Sequence, residues 1–303
     1  MIKPGINKNK FSTSSSRAAY IFLTPALSAI FVFFFIPVIA AFVISFTDFD
    51  IYALGDISTV RWIGFSNYLK LFDDPLFWQA LKNTFYFVIV TGPVSIAVSL
   101  TAALLLSSKL IKYKAIFRLS YFIPVVTTLV AVAIVWRFIY HPKFGIMNYL
   151  LSMIAINPID WLGDPVWAMP SIMLMSVWKN FGYNMIIFIA GLQNIPEDLY
   201  EAASIEGASA WQKFKHITIP MLAPTTLFIS IITMIGYFQL FAEPYVMTQG
   251  GPLNKTLSIV QYMYQEGFRW WNMGYSASIA FVLFFIIFLG TLIQFKLQKS
   301  EKT

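Results

Sequence analysis

The sequence predicts an all-α, polytopic membrane protein with six transmembrane helices. Of its 303 residues, 58% are hydrophobic and only 12% are charged, and the mean hydropathy is +0.69. A soluble domain carries about 25% charged residues, so this composition is typical of a chain that lies mostly within a bilayer. Six strongly apolar runs, separated by charged segments, are long enough to provide the spans.

The first half of the chain holds three predicted spans. Residues 1–17 form a polar, basic tail, and residues 18–47 contain no charge. That run exceeds the roughly 7–15 apolar residues of a secretory signal, so we expect it to be retained as the first span. Residues 83–108 and 119–136 are also free of charge and predict the second and third spans. The resulting transmembrane domain is expected to extend over residues 18–295.

The second half of the chain holds the other three spans. We predict the fourth over residues 167–194, the fifth over about 222–242 and the sixth from about 270 to 295. A basic tail, 296–303, follows the sixth. Between the fourth and fifth spans lies a charged, amphipathic segment, 196–220, which we call the coupling segment.

Lysine and arginine are distributed unevenly between the segments that connect the spans. Thirteen of the 21 fall in the two tails and in the segments after spans two and four, whereas six fall in the remaining three segments. An excess of basic residues marks the cytoplasmic side of a membrane protein. We therefore expect both termini and the coupling segment in the cytoplasm, and the other three segments outside.

The coupling segment has the local signals of a helix, a turn and a second helix. Pro196 and Glu197 suit the first turn of a helix, and Gly207 can end it by adopting a left-handed backbone. Ser209 and Gln212 have the spacing of a capping box and predict a second short helix, from residue 210 to about 215.

This segment resembles the EAA loop of permease subunits of binding-protein-dependent ABC importers. The family pattern is roughly E-A-A-x-x-D-G-A, a spacer, and I-x-L-P; Glu206 here replaces the usual aspartate, and Ile219 replaces leucine. The resemblance implies that the loop docks on an ATPase subunit and couples it to transport. The residues to which it assigns this coupling role are Glu201, Ala202, Ala203, Glu206, Gly207, Ala208, Ile217 and Pro220.

A second stretch narrows the resemblance to sugar permeases of the maltose and glycerol-phosphate type. In these, W-x-G-x-x-N-Y precedes D-P-x-F-W-x-A-L-x-N-T, and residues 62–84 match both patterns. An aromatic helix at the membrane interface would also explain many of these residues. The resemblance covers about residues 20–295 and implies the type I ABC importer permease fold, in a bacterial or archaeal plasma membrane.

Lys179 indicates a transport site in span four, because a charge near the centre of a span is costly and usually faces a cavity or a partner. Polar and aromatic residues lie on the same helix face as Lys179, at the spacing i, i+3, i+4, i+7, and span five has residues at the same spacing. Two such faces would enclose a pocket suited to a sugar. The predicted substrate-binding residues, which the resemblance also places at the sugar contacts of maltose-type permeases, are Ser176, Lys179, Asn180, Tyr183, Thr233, Gly236, Tyr237 and Leu240.

These residues also have structural interpretations. The two tyrosines could pack within the bundle, and Thr233 and Gly236 could form a close helix contact. Lys179 could pair with a carboxylate of another subunit; if it faces the cavity instead, it favours an anionic, phosphorylated or uronate-bearing sugar. Gln239 and Glu243 are weaker candidates, and Glu243 is expected at the membrane interface.

The alternative function is an ion-gradient-driven secondary sugar transporter. Such carriers usually need intramembrane acids or histidines, and we predict no acid near a span centre. A membrane enzyme is not expected either, because His141 and His216 are predicted on opposite sides of the membrane and the sequence contains no cysteine and no metal-ligand cluster. Nucleic-acid binding is not expected, since the net charge of +7 is spread over short loops.

The partners follow from what the chain lacks and from the resemblance. No P-loop pattern is present, so ATP and Mg²⁺ are expected on partner ATPase subunits, and we expect no cofactor or metal in this chain. The resemblance implies a second, homologous permease subunit, two ATPase subunits and an extracytoplasmic solute-binding protein. It also implies transport by alternating access.

Overall fold

The computed structural model describes residues 13–108 and 111–300, and their regular structure is helical apart from one isolated bridge between Thr47 and Trp62. The α-helices are α1 Thr13–Ile30, α2 Ile36–Ile44, α3 Ser66–Asp73, α4 Pro75–Ser107, α5 Lys114–Val126, α6 Leu129–Ile139, α7 Ile146–Ser152, α8 Ala168–Gln193, α9 Glu197–Ile205, α10 Ala210–Lys213, α11 Ile219–Phe238, α12 Ala242–Met247, α13 Ile259–Tyr264 and α14 Met273–Ser300. The remaining helical segments are π-helical turns at Phe31–Phe35, Phe214–Thr218 and Gln265–Arg269 and 3₁₀-helices at Tyr52–Leu54 and Ile57–Thr59. The predicted all-α fold class is confirmed.

Five stretches of the described chain are long and apolar enough to cross a membrane, and the bent pair α5–α6 makes a sixth if it is counted as one span. The five are Tyr20–Ile44, Pro75–Ser107, Ala168–Gln193, Ala210–Phe238 and Met273–Leu297. With the bent pair included, the number of spans equals the six that the sequence predicts.

The helices extend beyond several predicted boundaries. The first helix begins at Thr13, inside the predicted tail 1–17, and the last continues past residue 295 to Ser300. The second span begins at Pro75 rather than at residue 83, because the Asp74 side chain accepts hydrogen bonds from the first N–H groups of α4. Residues 1–12, 109–110 and 301–303, which include parts of both predicted tails, lie outside the described residues.

The third span is broken, which differs from the single helix predicted over residues 119–136. Helices α5 and α6 meet at an angle of 100°. Pro124 lies in the last turn of α5, and Thr127 and Thr128 have extended backbones between the two helices. Proline lacks an N–H group and clashes with the preceding turn, which favours a break at this point.

The fifth span is continuous with the second helix of the coupling segment. The chain stays helical from Ala210 to Phe238 and passes through the π-helical turn before Pro220. We expected a short separate helix that ends near residue 215 and a fifth span that begins near residue 222, with Pro220 and Pro224 at its entry. The widened turn instead keeps the helix continuous through both prolines.

Helices α4 and α8 form the centre of the fold, and each packs on the other and on α11. One buried cluster joins these helices to α6, α13 and α14, and a smaller one lies towards the coupling segment. Gly182 permits a close approach of α8 to α5, because a Cβ there would lie 2.0 Å from the Tyr121 carbonyl oxygen. The first span stays at the periphery, and none of its membrane-spanning window is buried within the chain.

Candidate functional site

A cavity of about 340 Å³ lies between α8 and α11, beside the break in the third span and the start of α12. This volume falls in the range of roughly 300–1,000 Å³ that is typical of ligand pockets. Five of the eight predicted substrate-binding residues line it, which are Asn180, Tyr183, Thr233, Gly236 and Tyr237. The structure therefore brings together the polar and aromatic faces of the fourth and fifth spans.

The lining of this cavity offers both hydrogen-bonding groups and aromatic rings. The Asn184 amide donates to the Thr233 hydroxyl over 3.0 Å and joins the two spans. Tyr237 is buried, and its hydroxyl has no hydrogen-bond partner among the described residues. Tyr183 is half exposed, so its ring is accessible from the cavity. Sugars need such a combination, because rings pack on their apolar faces and amides and hydroxyls bind their rims.

Four cavity residues lie outside the predicted set of eight, and two of them are polar: Asn184, which was not predicted, and Glu243, which was a weaker candidate. Glu243 was expected at the membrane interface, but it is buried and lines the cavity, since the chain turns after α11 and α12 carries it back inward. The Ser258 hydroxyl donates to the Leu240 carbonyl over 2.5 Å and ties this turn to the start of α13. Asn184 continues the four-residue spacing of Ser176 and Asn180, a signal that could have identified it.

Lys179 does not line the cavity. Its ammonium group is buried and donates to three backbone carbonyls of the broken third span, those of Pro124 at 3.0 Å, Thr127 at 3.1 Å and Val125 at 3.4 Å. Carbonyls that lose their helical partners within a membrane need other donors. Lys179 supplies these donors, a role that neither of the two predicted interpretations included.

The other two predicted substrate-binding residues also lie away from the cavity. Ser176 is fully buried, and its hydroxyl has no partner in the part of the chain that the structure describes. Its backbone carbonyl accepts the Asn180 amide over 3.0 Å. Leu240 is buried in the larger core cluster. Both residues therefore pack behind the cavity.

The coupling segment has the first helix, the glycine turn and the capping box that the sequence predicts, whereas its second helix continues into the fifth span. Helix α9 ends before Gly207, which has a left-handed backbone with φ of +79°. Ser209 and Gln212 form both hydrogen bonds of a capping box, at 2.7 and 3.3 Å. The Tyr200 hydroxyl lies 2.8 Å from that of Thr218, so α9 is tied to the helix that continues into the fifth span.

The coupling segment exposes a mixed polar and apolar surface. Ile205 is 88% exposed and Trp211 68% exposed, although both are large hydrophobic residues. Of the residues predicted to couple, five are exposed and three are partly buried. The exposed ones are Glu201, Ala202, Glu206, Gly207 and Pro220, and the partly buried ones are Ala203, Ala208 and Ile217.

The matched motif at the start of the second span has a structural role. Asn83 donates its amide to the carbonyls of Asn254 at 2.7 Å and Leu257 at 2.9 Å, and the Thr84 hydroxyl accepts the N–H of Ile259 at 2.9 Å. These residues hold the segment between α12 and α13 against α4. Within the described residues, no group of three or more His, Cys, Asp or Glu side chains could hold a metal ion.

Comparisons with known proteins agree with one another. Residues 95–302 match the family described as "Binding-protein-dependent transport system inner membrane component". The chain is 38% identical to the arabinooligosaccharides transport system permease protein AraP of Bacillus subtilis, over 95% of this chain and 91% of the relative. It is 37% identical to the lactose transport system permease protein LacF of Rhizobium radiobacter, over 93% and 94%.

Solved structures agree on the fold. A chain from the crystal structure of a bacterial ABC transporter that imports the acidic polysaccharide alginate superposes with a TM-score of 0.79. The alignment covers 95% of this chain and 96% of that one, at 21% sequence identity. At this identity the likeness shows the arrangement of helices alone.

Proposed function

We propose a transport mechanism for this chain, which belongs to the family of binding-protein-dependent transport system inner membrane components. It is a multi-pass inner-membrane permease subunit of a sugar or oligosaccharide ABC importer, and subunits of this class are not catalytic. We infer that its substrate passes through the cavity between α8 and α11. The observation that carries this inference is the convergence of amides, hydroxyls, a carboxylate and aromatic rings from α8, α11 and α12 on one cavity.

The substrate is a neutral sugar or oligosaccharide. An anionic substrate was favoured only if Lys179 faced the cavity, and its ammonium group instead donates to backbone carbonyls. The acidic side chain on the cavity wall is Glu243, whose carboxyl oxygens can accept hydrogen bonds from sugar hydroxyls. Two relatives are named for the transport of arabinooligosaccharides and of lactose, which are neutral sugars, and this is consistent with the proposal.

The coupling segment transmits ATP-driven closure from the ATPase subunits to the spans. Ile205 and Trp211 are large exposed apolar side chains on this segment, and Glu201 and Glu206 are exposed acidic ones. Exposed apolar side chains surrounded by polar groups are typical of a protein interface. Docking there would move the fifth span as one body with α10, because the chain is helical from Ala210 to Phe238.

The complete importer contains this permease, a second homologous permease, two ATPase subunits that bind ATP and Mg²⁺, and an extracytoplasmic solute-binding protein. Both termini of this chain and the coupling segment are cytoplasmic, which the distribution of lysine and arginine supports. The substrate-loaded binding protein docks on the opposite, outer end.

The test is the ATPase activity of the co-purified complex with binding proteins loaded with candidate sugars. We expect one loaded binding protein to stimulate hydrolysis severalfold, and the same protein without sugar to stimulate it less. Sugar uptake into proteoliposomes that requires ATP would support the same conclusion. Uptake by this chain alone, without ATP but with a proton gradient, would favour the secondary transporter and overturn the proposal.

A further inference from the structure

A second cavity, of about 410 Å³, lies at the predicted outer end of the fold. It is lined by three aromatic rings, three carboxamides and one guanidinium group, which α12, the segment after it, α13 and the following π-helical turn contribute. Its volume is again typical of a ligand pocket. None of its lining residues belongs to the first cavity.

The aromatic rings form one connected wall. The ring centroids of Tyr245 and Tyr264 are 5.6 Å apart and nearly perpendicular, and those of Tyr264 and Phe268 are 5.6 Å apart and stacked. All three side chains remain exposed by more than a third of their surface. Rings with free faces can pack against the apolar face of a sugar ring, whereas rings within a core cannot.

Gln261 is the polar group that this chain leaves without a partner at the cavity. Its side chain is fully buried, yet neither its amide nitrogen nor its amide oxygen has a hydrogen-bond partner among the described residues. Gly250, with φ of +87°, packs against it, because a Cβ at that position would lie 3.2 Å from the Gln261 amide nitrogen. A buried amide without partners costs stability, and a sugar in this cavity would relieve that cost if the Gln261 side chain turned towards it.

Two further glutamines and an arginine surround this group. Gln249 has a left-handed backbone with φ of +55°, an arrangement that non-glycine residues adopt uncommonly. Gln265 adds a third carboxamide. Arg269 lies with its guanidinium carbon 5.8 Å from the Trp270 ring, and no carboxylate of the described chain lies within 4 Å of it.

We propose that this outer cavity is a second carbohydrate subsite, which binds one ring of the sugar before it enters the cavity between α8 and α11. Carboxamides donate and accept hydrogen bonds at once, as paired sugar hydroxyls require, and the arginine adds further donors. Helix α12 separates the two cavities, since Glu243 lines the inner one and Tyr245, two residues later, lines the outer one. The proposal rests on the proposed function, because it assumes a sugar substrate.

The direct test is saturation-transfer difference NMR on the complete importer in lipid nanodiscs, without ATP and without binding protein. The probes are lactose, maltotriose and arabinotriose. The variant Gln265→Ala/Phe268→Ala should weaken the signal of the best probe at least threefold. Phe144→Ala is the matched control, because Phe144 is also an exposed aromatic residue on a predicted outer segment and does not line the cavity. It should leave the signal unchanged.

A second variant tests the unpaired amide. Gln261→Leu removes both polar atoms at nearly constant volume, so we expect it to lose the probe signal and to raise the melting temperature of the complex. A variant that lost the signal together with stability would instead indicate that Gln261 only supports the fold, and would contradict the proposal.

The outcomes separate this inference from the proposed function. If the double variant binds the probes like the wild type while loaded binding protein still stimulates ATP hydrolysis, the outer subsite is wrong and the importer assignment stands. If the double variant binds the probes normally but the complex containing it binds sugar-free binding protein more weakly, the cavity is a contact site for that protein, and the proposed subsite is wrong. If no loaded binding protein stimulates the wild type, the proposed function fails and the subsite loses its basis.

Discussion

Lys179 shows how backbone carbonyls can accommodate a charge within a bilayer. The break between α5 and α6 leaves backbone carbonyls without helical donors, and the buried ammonium group donates to three of them. Both the free carbonyls and the unpaired charge would be costly in an apolar medium. The hydrogen bonds between the ammonium group and the carbonyls remove both costs, and they hold the bend of the third span against α8.

Lys179→Met should therefore destabilise the permease without changing its affinity for sugar. Hydrogen bonds from a charged donor contribute about 1.5–3 kcal/mol each, so we expect the melting temperature of the complex to fall by several degrees. The half-saturating sugar concentration of the folded fraction should stay within about twofold of wild type. Lys143→Met, at an exposed outer lysine, is the control. Weaker sugar binding at an unchanged melting temperature would show instead that Lys179 contacts the substrate.

The cavity residues show which interactions can be predicted from spacing. Helical periodicity predicts one polar and aromatic face in the fourth span, with Asn180 and Tyr183, and another in the fifth, with Thr233 and Tyr237. The structure places these residues around one cavity. The partner of Lys179 could not be predicted in the same way, because it depends on carbonyls that a bend in a different helix makes available. Glu243 was misplaced for a related reason, since its position depends on a turn after α11 that hydropathy does not indicate.

At the scale of elements, the continuity of α10 with α11 joins the coupling segment to the cavity. The helix that begins at Ala210, next to the exposed Trp211, carries four cavity-lining residues within about its last two turns, namely Ile232, Thr233, Gly236 and Tyr237. A force applied at its start reaches the cavity through helical hydrogen bonds alone. The capping box and Gly207 were predictable because they are local signals, whereas this continuity depends on a π-helical turn that tolerates Pro220.

Gly207→Val should uncouple ATP hydrolysis from transport. The backbone at Gly207 is left-handed, and a β-branched residue is strained there although no atom lies within 4 Å of its Cβ position. The turn that presents α9 to the ATPase should therefore change, so that membrane insertion is retained and sugar-stimulated ATP hydrolysis falls at least tenfold. The measurement is the ATPase activity of the reconstituted complex with its loaded binding protein.

Gly64→Val is a matched control for this substitution. Gly64 also has a left-handed backbone, with φ of +58°, and open space around its Cβ position, but it lies at the predicted outer end. It should carry a similar backbone strain and retain at least half of the coupled activity. Equal losses in both variants would attribute the effect to strain in general and would contradict a specific role for the turn at Gly207.

Across the whole molecule, Asp74 joins parts of the chain that are far apart in sequence. Its carboxylate caps α4 and also accepts the hydroxyls of Tyr262 and of Tyr275, the latter at 2.5 Å. Lys70 adds a contact with the Tyr275 ring, 4.4 Å from its centroid. The start of the second span, α13 and the start of the sixth span are thereby held together at the predicted outer end. The motif that contains Asp74 could be recognised in the sequence, but its partners, 188 and 201 residues away, could not.

This cluster predicts a dependence of stability on pH. Burial acts to raise the pKa of Asp74, but hydrogen bonds from Tyr262, Tyr275 and the N–H groups of α4 outweigh burial and hold the pKa below its ordinary value of 3.8. A carboxyl group whose pKa is lowered by folding stabilises the fold above its unfolded pKa, and this contribution is lost as the pH falls through the folded value.

Asp74→Asn should accordingly lower the melting temperature of the detergent-solubilised complex by a constant amount between about pH 5 and 8. Below about pH 4 the difference from wild type should shrink, because the wild-type carboxyl group is then increasingly protonated and loses its advantage over the amide. The adjacent, exposed Asp73 provides the control, since Asp73→Asn removes the same charge without touching either tyrosine. Equal effects of the two substitutions at neutral pH would indicate a general loss of charge, and a difference for Asp74→Asn that persisted undiminished at pH 3 would show that the ionised carboxylate does not hold the three helices together.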